Sequence, residues 1–245
     1  MIITDFLERN ARLYGGEVAL VEVNPSEDRD KAVTWREASL IESAIDAPYR
    51  RELTWNEFDR KANRFANLLL SRGFEKGTKV AILLMNCLEW LPIYFGILKI
   101  GALAVPLNFR YSADEIKYCL QLADADAIVF GPEFTGRVEE VFGRVPKVKD
   151  WFYVGSDCPT FAQSYDKLVT YCSETDPEIT LTDDDEATGA RLVVSSSWRS
   201  MTDLEEIFEG VGLPFKFWRT SYANQIYSDL DPIRDLYNDD IRYWR

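Results

Sequence analysis

The residues of this chain that could do chemistry are few. Arg110 closes the run Leu98-Lys-Ile-Gly-Ala-Leu-Ala-Val-Pro-Leu-Asn-Phe-Arg110. Its guanidinium is a planar fork of donors that matches phosphate oxygens; the plainer role is a surface arginine holding Asp114 or Glu115. Ser195 and Ser196 are paired hydroxyls that follow the apolar run Leu192-Val-Val194. The acidic stretch Asp183-Asp-Asp-Glu186 has the charge for a cation, although an acidic loop ahead of a strand explains it equally. Asp229-Leu-Asp231 has the spacing of a paired-carboxylate nucleophile but stands before Pro232 and reads as a solvated turn.

The chain has no histidine. This removes the commonest general base and metal ligand, and with it Ser-His-Asp and Cys-His nucleophile systems and His-containing zinc sites. Cys87, Cys119, Cys158 and Cys172 are scattered without metal-ligand spacing. Cys87 and Cys119 fall in apolar segments and read as buried free thiols, which places the protein in the reducing cytoplasm. The formal charge of -13 argues against nucleic acid as a partner. No apolar run reaches the roughly 18 residues of a membrane span. The start, Met1-Ile-Ile-Thr-Asp-Phe6, lacks the basic and apolar regions of a signal peptide.

The elements that must hold these residues follow from apolar spacing. A helix is expected over Thr4–Tyr14 with Phe6, Leu7, Ala11 and Leu13 inward, then a strand over Val18–Val23. Residues 24–51 are polar and punctuated by Pro25 and Pro48, and read as an irregular insertion with a short helix around Arg36–Ile45. Thr54 with Glu57, and Ser112 with Glu115, form capping boxes ahead of helices Trp55–Ser71 and Ala113–Ala123. Strands are expected at Lys79–Met85, Ala102–Val105, Ala127–Phe130 and Asp150–Val154. Further helices are expected at Glu89–Ile100, Pro132–Phe142 and Phe161–Cys172. Strands that alternate with helices and are apolar throughout predict an α/β fold, a mostly parallel sheet covered by helices. With 47% apolar residues a packed core is available. Near Gly189 the composition changes: most of the acidity lies before it, and the tail is denser in aromatics. Residues 1–188 are therefore read as one domain and 189–245 as a short α/β tail of different character. The tail is expected to hold a strand at Arg191–Val194 and a helix at Thr202–Glu209.

Leu53-Thr-Trp-Asn-Glu-Phe58 resembles the early "L-T-Y-x-E-L" motif of the adenylate-forming acyl-CoA synthetases. Ala62-Asn-Arg-Phe-Ala66 and Leu70-Ser-Arg-Gly73 resemble its continuation, Lys76-Gly-Thr-Lys-Val-Ala-Ile82 its "G-D-x-V-A-I" strand entry, and Leu98–Arg110 its second core motif. The order of these matches resembles the N-terminal subdomain of that family, one of two that flank the adenylate pocket. The resemblance implies fatty-acid metabolism, with ATP, Mg2+ and CoA as cofactors and a small-molecule carboxylate and a nucleotide as partners. It also implies that Arg110 approaches the nucleotide phosphate of CoA. A homo-oligomer is left open, and so is the acyl substrate.

The resemblance breaks where the family's chemistry begins. A phosphate loop of the form "S-S-G-T-T-G-x-P-K" relies on glycine for its tight and left-handed turns. This chain reads Gly189-Ala-Arg-Leu-Val-Val-Ser-Ser-Ser-Trp-Arg-Ser200, with no glycine after Ser195 and Ser196 and no closing lysine. None of the residues present requires ATP or Mg2+, and the family's catalytic lysine is not expected within these 245 residues. The tail instead resembles the "S-S-S-W-R" motif of haloacid-dehalogenase-type phosphatases, where a hydroxyl at a strand end binds phosphate. The expectation is a truncated or chimeric acyl-CoA ligase that does not turn over alone. A phosphatase-like protein and a non-catalytic binding or scaffold module are the alternatives.

Overall fold

The computed structural model describes residues 2–23 and 50–182. The helix expected at Arg36–Ile45, the acidic run Asp183–Glu186, Ser195, Ser196 and the tail lie outside the described residues. The elements are α1 (Ile3–Tyr14), β1 (Val18–Val23), β2 (Arg50–Thr54), α2 (Trp55–Ser71), β3 (Lys79–Leu83), α3 (Trp90–Lys99) and β4 (Leu103–Pro106). They continue with α4 (Ala113–Ala123), β5 (Ala127–Phe130), a 3-10 turn (Pro132–Phe134), α5 (Thr135–Val141), β6 (Asp150–Tyr153), β7 (Gln163–Ser164) and α6 (Tyr165–Val169).

Five strands form one sheet in the order β4-β3-β5-β6-β7. Every pair in it is parallel: Lys79 faces Leu103, Val80 faces Ala127, Ala127 faces Asp150 and Phe152 faces Gln163. Alternation along β3 explains why it is apolar throughout. Val80 and Ile82 point into a core with Phe65 and Leu69 of α2, Ile93 and Ile97 of α3 and Tyr165 of α6. Ala81 and Leu83 point into a second core with Ile116 and Leu120 of α4 and Val138 and Val141 of α5. Both faces are covered, as a parallel sheet requires. Gly96 allows the close approach of α3 to α2: a Cβ there would stand 2.8 Å from the Ala62 carbonyl oxygen and 3.1 Å from Phe65 Cβ.

Both capping boxes form as the sequence predicts. Thr54 Oγ1 accepts from Glu57 N–H at 3.3 Å while the Glu57 carboxylate accepts from Thr54 N–H at 2.8 Å. Ser112 and Glu115 do the same at 3.4 and 2.8 Å. The two helices span the residues expected.

Four expectations are corrected. Arg50 and Arg51 are not part of an irregular insertion. They begin β2, which pairs antiparallel with β1, and Arg51 holds Glu22 across the strands at 2.8 Å. Phe6 and Leu13 face outward, 44% and 55% exposed, whereas Leu7 is 2% exposed. The inward face of α1 is centred on Thr4 and Leu7, and the exposed Glu8 reaches the buried Lys99 of α3 from its border. The helix expected over Pro132–Phe142 is a 3-10 turn followed by a shorter α-helix, with Pro132 opening the turn. The helix expected over Phe161–Cys172 is replaced by β7 and α6. Here Gln163 and Ser164 pair with Phe152 and Tyr153 of β6, and Phe161 stacks on Phe130 with ring centroids 5.9 Å apart.

Polar residues of α2 hold the segment that follows α6. Asn63 Nδ2 donates to Glu174 O at 2.9 Å, and Arg64 Nη1 to Thr170 O at 2.9 Å. Asn67 Nδ2 donates to Ser173 O and Thr175 O at 3.0 and 2.9 Å. Lys99, 3% exposed, fastens the same segment from α3. It pairs with Asp176, with Asp59 at 3.0 Å and with Glu8 at 3.4 Å. Burial opposes its charge, but Asp176 and Asp59 more than offset that and raise its pKa. Glu8 is shifted upward, its burial outweighing the pull of Lys99.

Candidate functional site

In this sheet the chain passes from β3 outward to β4, then crosses back over β3 to β5. Helix α3 packs on one face and α4 on the other. The loops leaving the carboxyl ends of the strands therefore diverge, and that divergence is where ligands bind in open α/β sheets. Four loops meet at this edge, after β3, β4, β5 and β6.

The loop after β4 carries Arg110. Leu107 N–H donates to Ile82 O at 2.8 Å, which fixes the strand exit against β3. Tyr111 N–H then donates to Asn108 O at 3.1 Å, closing a tight turn. Asn108, only 8% exposed, accepts the Arg110 N–H on Oδ1 at 2.9 Å. This side-chain bond to a backbone two residues on is the reason asparagine suits the position. Arg110 is exposed, and its guanidinium carbon lies 5.3 Å from the centre of the Phe109 ring. Asp114, one carboxylate considered for it, pairs with Arg144 at 3.2 Å. Glu115, the other, is engaged by Ser112.

A residue that the sequence did not reveal supports this turn from outside. Arg137 of α5 donates from Nη1 to Phe109 O at 2.9 Å and to Tyr111 O at 2.6 Å. Its guanidinium also lies 5.0 Å from the centre of the buried Phe134 ring. Burial pushes its pKa down. No sequence signal marks Arg137, because its partners are main-chain carbonyls 28 and 26 residues away.

The loop after β3 is tied to the β1–β2 hairpin. Glu22 accepts Leu88 N–H at 2.8 Å, and Arg51 pairs with both Glu22 and Glu89. Cys87 sits beside these groups; burial and the nearby Glu89 push its thiol up to about 12, so it is not a thiolate nucleophile at neutral pH. Among the described residues, no group of three or more Cys, Asp or Glu is arranged to hold a metal ion. None of the described helices is long and apolar enough to cross a membrane. Of the residues singled out in the sequence for phosphate, the structure places Arg110 at this edge; Ser195 and Ser196 fall beyond residue 182.

Residues 7–190 match the model of a family described as "AMP-binding enzyme". The chain is 37% identical over 130 residues to the medium/long-chain-fatty-acid–CoA/3-oxocholest-4-en-26-oate–CoA ligase of Mycolicibacterium smegmatis, covering 49% of this chain and 24% of that protein. It is 40% identical over 84 residues to the crotonobetaine/carnitine–CoA ligase of Citrobacter koseri, covering 34% of this chain and 16% of that one. Among solved structures it resembles the N-terminal domain of FACL13 from Mycobacterium tuberculosis, with a TM-score of 0.58 and 23% identity over 76% of this chain and 40% of that one. It also resembles a long-chain-fatty-acid CoA ligase from Rhodopseudomonas palustris, with a TM-score of 0.55 and 25% identity over 73% of this chain and 39% of that one. The chain spans about a quarter or less of the length of the two ligases named. The phosphatase likeness of the tail gains no support from these relatives. The chain belongs to the AMP-binding enzyme family.

Proposed function

We propose that this member of the family is a partial acyl-CoA ligase, supplying one wall of a site for a carboxylate, ATP and CoA. The full reaction joins a carboxylate to the α-phosphorus of ATP and releases pyrophosphate. The CoA thiol then attacks the acyl carbon, forming acyl-CoA and releasing AMP. Within that scheme Arg110 is the residue for a phosphate of CoA. The observation that carries this reading is the exposed guanidinium on a turn fixed from both sides, at the carboxyl edge of a parallel sheet. An arginine held in that way suits an anion, because little rotational freedom of the turn is lost on binding.

The residues of the chain fit CoA better than they fit the triphosphate of ATP. The segment Gly189–Ser200 has serines and Trp198 where close wrapping of phosphate needs glycine. Ser195 and Ser196 are, in this reading, single hydroxyl contacts to a phosphate and not a cradle. Mg2+ would arrive with the nucleotide. A medium or long fatty acid is the first acyl class to try, since ligases for such acids are among the relatives. The described cysteines are all free, in keeping with the cytoplasm.

The test is pyrophosphate release from ATP with fatty acids of graded length, run beside calorimetric titration of CoA into the 245-residue chain. The expected result is CoA binding without turnover. Robust pyrophosphate release would overturn the claim that the segment after Gly189 cannot serve ATP. No CoA binding would remove the role given to Arg110.

A further inference from the structure

The turn that presents Arg110 is already closed without help from α5. Tyr111 N–H reaches Asn108 O, and Asn108 Oδ1 takes the Arg110 N–H. Arg137 therefore is not needed to make the turn. What it adds is an attachment: one nitrogen bonded to two carbonyls that flank Arg110 in sequence, at 2.9 and 2.6 Å. Those carbonyls could be satisfied by water at little cost. Using a half-buried cation for them has a desolvation cost, visible as the lowered pKa, and the guanidinium lies 5.0 Å from the centre of the Phe134 ring. A charged group placed against a turn that is stable without it has two effects. It sets the orientation of that turn against the β5–α5 connection, and it adds positive potential beside Arg110.

We propose that Arg137 is a positioning residue for phosphate recognition: by clamping the Phe109 and Tyr111 carbonyls it fixes the direction from which Arg110 meets a phosphate of a CoA-class ligand. The inference rests on the reading of Arg110 given above. Arg137 itself acts through the backbone and makes no contact with the ligand. Its Nη1 is already engaged by both carbonyls. The clamp joins the loop after β4 to the helix after β5, two of the loops that border the ligand edge of the sheet. Loss of it leaves Arg110 in place chemically but free to swing with its turn.

The experiment compares CoA with 3′-dephospho-CoA by calorimetry on the full chain, in the wild type, Arg110→Ala, Arg137→Gln and Arg137→Lys. The wild type should prefer CoA, and Arg110→Ala should erase the preference. Arg137→Gln, with Arg110 intact, should cut it severalfold, short of the full loss in Arg110→Ala, because the contact to phosphate is misdirected and not removed. Arg137→Lys should fall between, since an ammonium keeps the charge but not the planar fork. Trypsin cleavage after Arg110 gives a readout that needs no ligand: it should quicken in both Arg137 variants more than their melting temperatures account for. No preference in the wild type overturns the assignment of Arg110 to the 3′-phosphate, and this inference with it. A preference lost in Arg110→Ala but kept in Arg137→Gln overturns the positioning role alone. If Arg137→Gln does not fold, Arg137→Lys decides: wild-type preference with unchanged trypsin cleavage overturns the inference.

Discussion

Two cations of this molecule are held in opposite ways. Lys99 is buried and surrounded by the carboxylates of Asp176, Asp59 and Glu8. Arg110 is exposed, on a turn whose backbone is gripped by Asn108 and Arg137. In the first region the charge is satisfied and the structure around it depends on that pairing. In the second the contacts grip the backbone of the turn, and the side chain is exposed. In the reading proposed above, the difference separates a charge that holds the fold together from one that meets a ligand. It also shows that burial and ion pairing mark Lys99 as structural, although lysine at a buried site often signals catalysis.

The largest expected effect breaks the first region. Lys99→Met should destabilise the protein by about 2–3 kcal/mol in urea unfolding, because it leaves the largely buried Asp59 beside an apolar side chain, while Glu8 and Asp176 stay half exposed to water. A loss under about 1 kcal/mol would show that water already serves those carboxylates. The same lysine gives an alkaline signature. Its folded pKa is raised, so its contribution is complete below the unfolded value near 10.4 and lost as pH rises through the folded value. A wild-type stability curve that falls above that pH, and a flatter one for Lys99→Met, would sharpen the assignment.

Next in size are the helix caps. Thr54→Ala and Ser112→Ala should each cost about 1 kcal/mol. Glu57 and Glu115 are held below the usual carboxylate range by the backbone N–H and hydroxyl of Thr54 and Ser112. Their contribution is present above the unfolded value near 4.5 and lost as pH falls through the lower folded values. The acid unfolding midpoint should move upward in both cap variants, measured by circular dichroism against pH. The smallest effect belongs to the second region: Arg110→Ala should change stability by less than about 0.5 kcal/mol. A loss comparable to that of Lys99→Met would erase the contrast between the two cations.

Much of the fold was legible because its signals are local. The capping boxes placed α2 and α4 to the residue, and continuous apolar runs located β3 and β5 in a sheet covered on both faces. What escaped depends on partners distant in sequence. Arg50 and Arg51 form a strand only because β1 offers Val23 and Glu22 to pair with. The segment before α6 forms β7 by pairing with β6, a partner outside the segment's own sequence pattern. The inward face of α1 is set by Thr4 and Leu7, and a buried threonine is something apolar spacing does not register. In the site, Asn108 and Arg110 were visible as a proline-led exit from a strand. Arg137 was not, since a side chain that serves main-chain carbonyls leaves no pattern of residue types.

The most direct measurement is a paired one on Arg110→Ala and the wild type: CoA affinity by calorimetry and melting temperature by circular dichroism. The expected result is a fall in affinity of roughly tenfold or more, the loss of a charge-assisted contact to phosphate, with the melting temperature unchanged. Equal affinity for CoA in the two proteins would contradict the account, and would leave the turn after β4 as a feature of the fold alone.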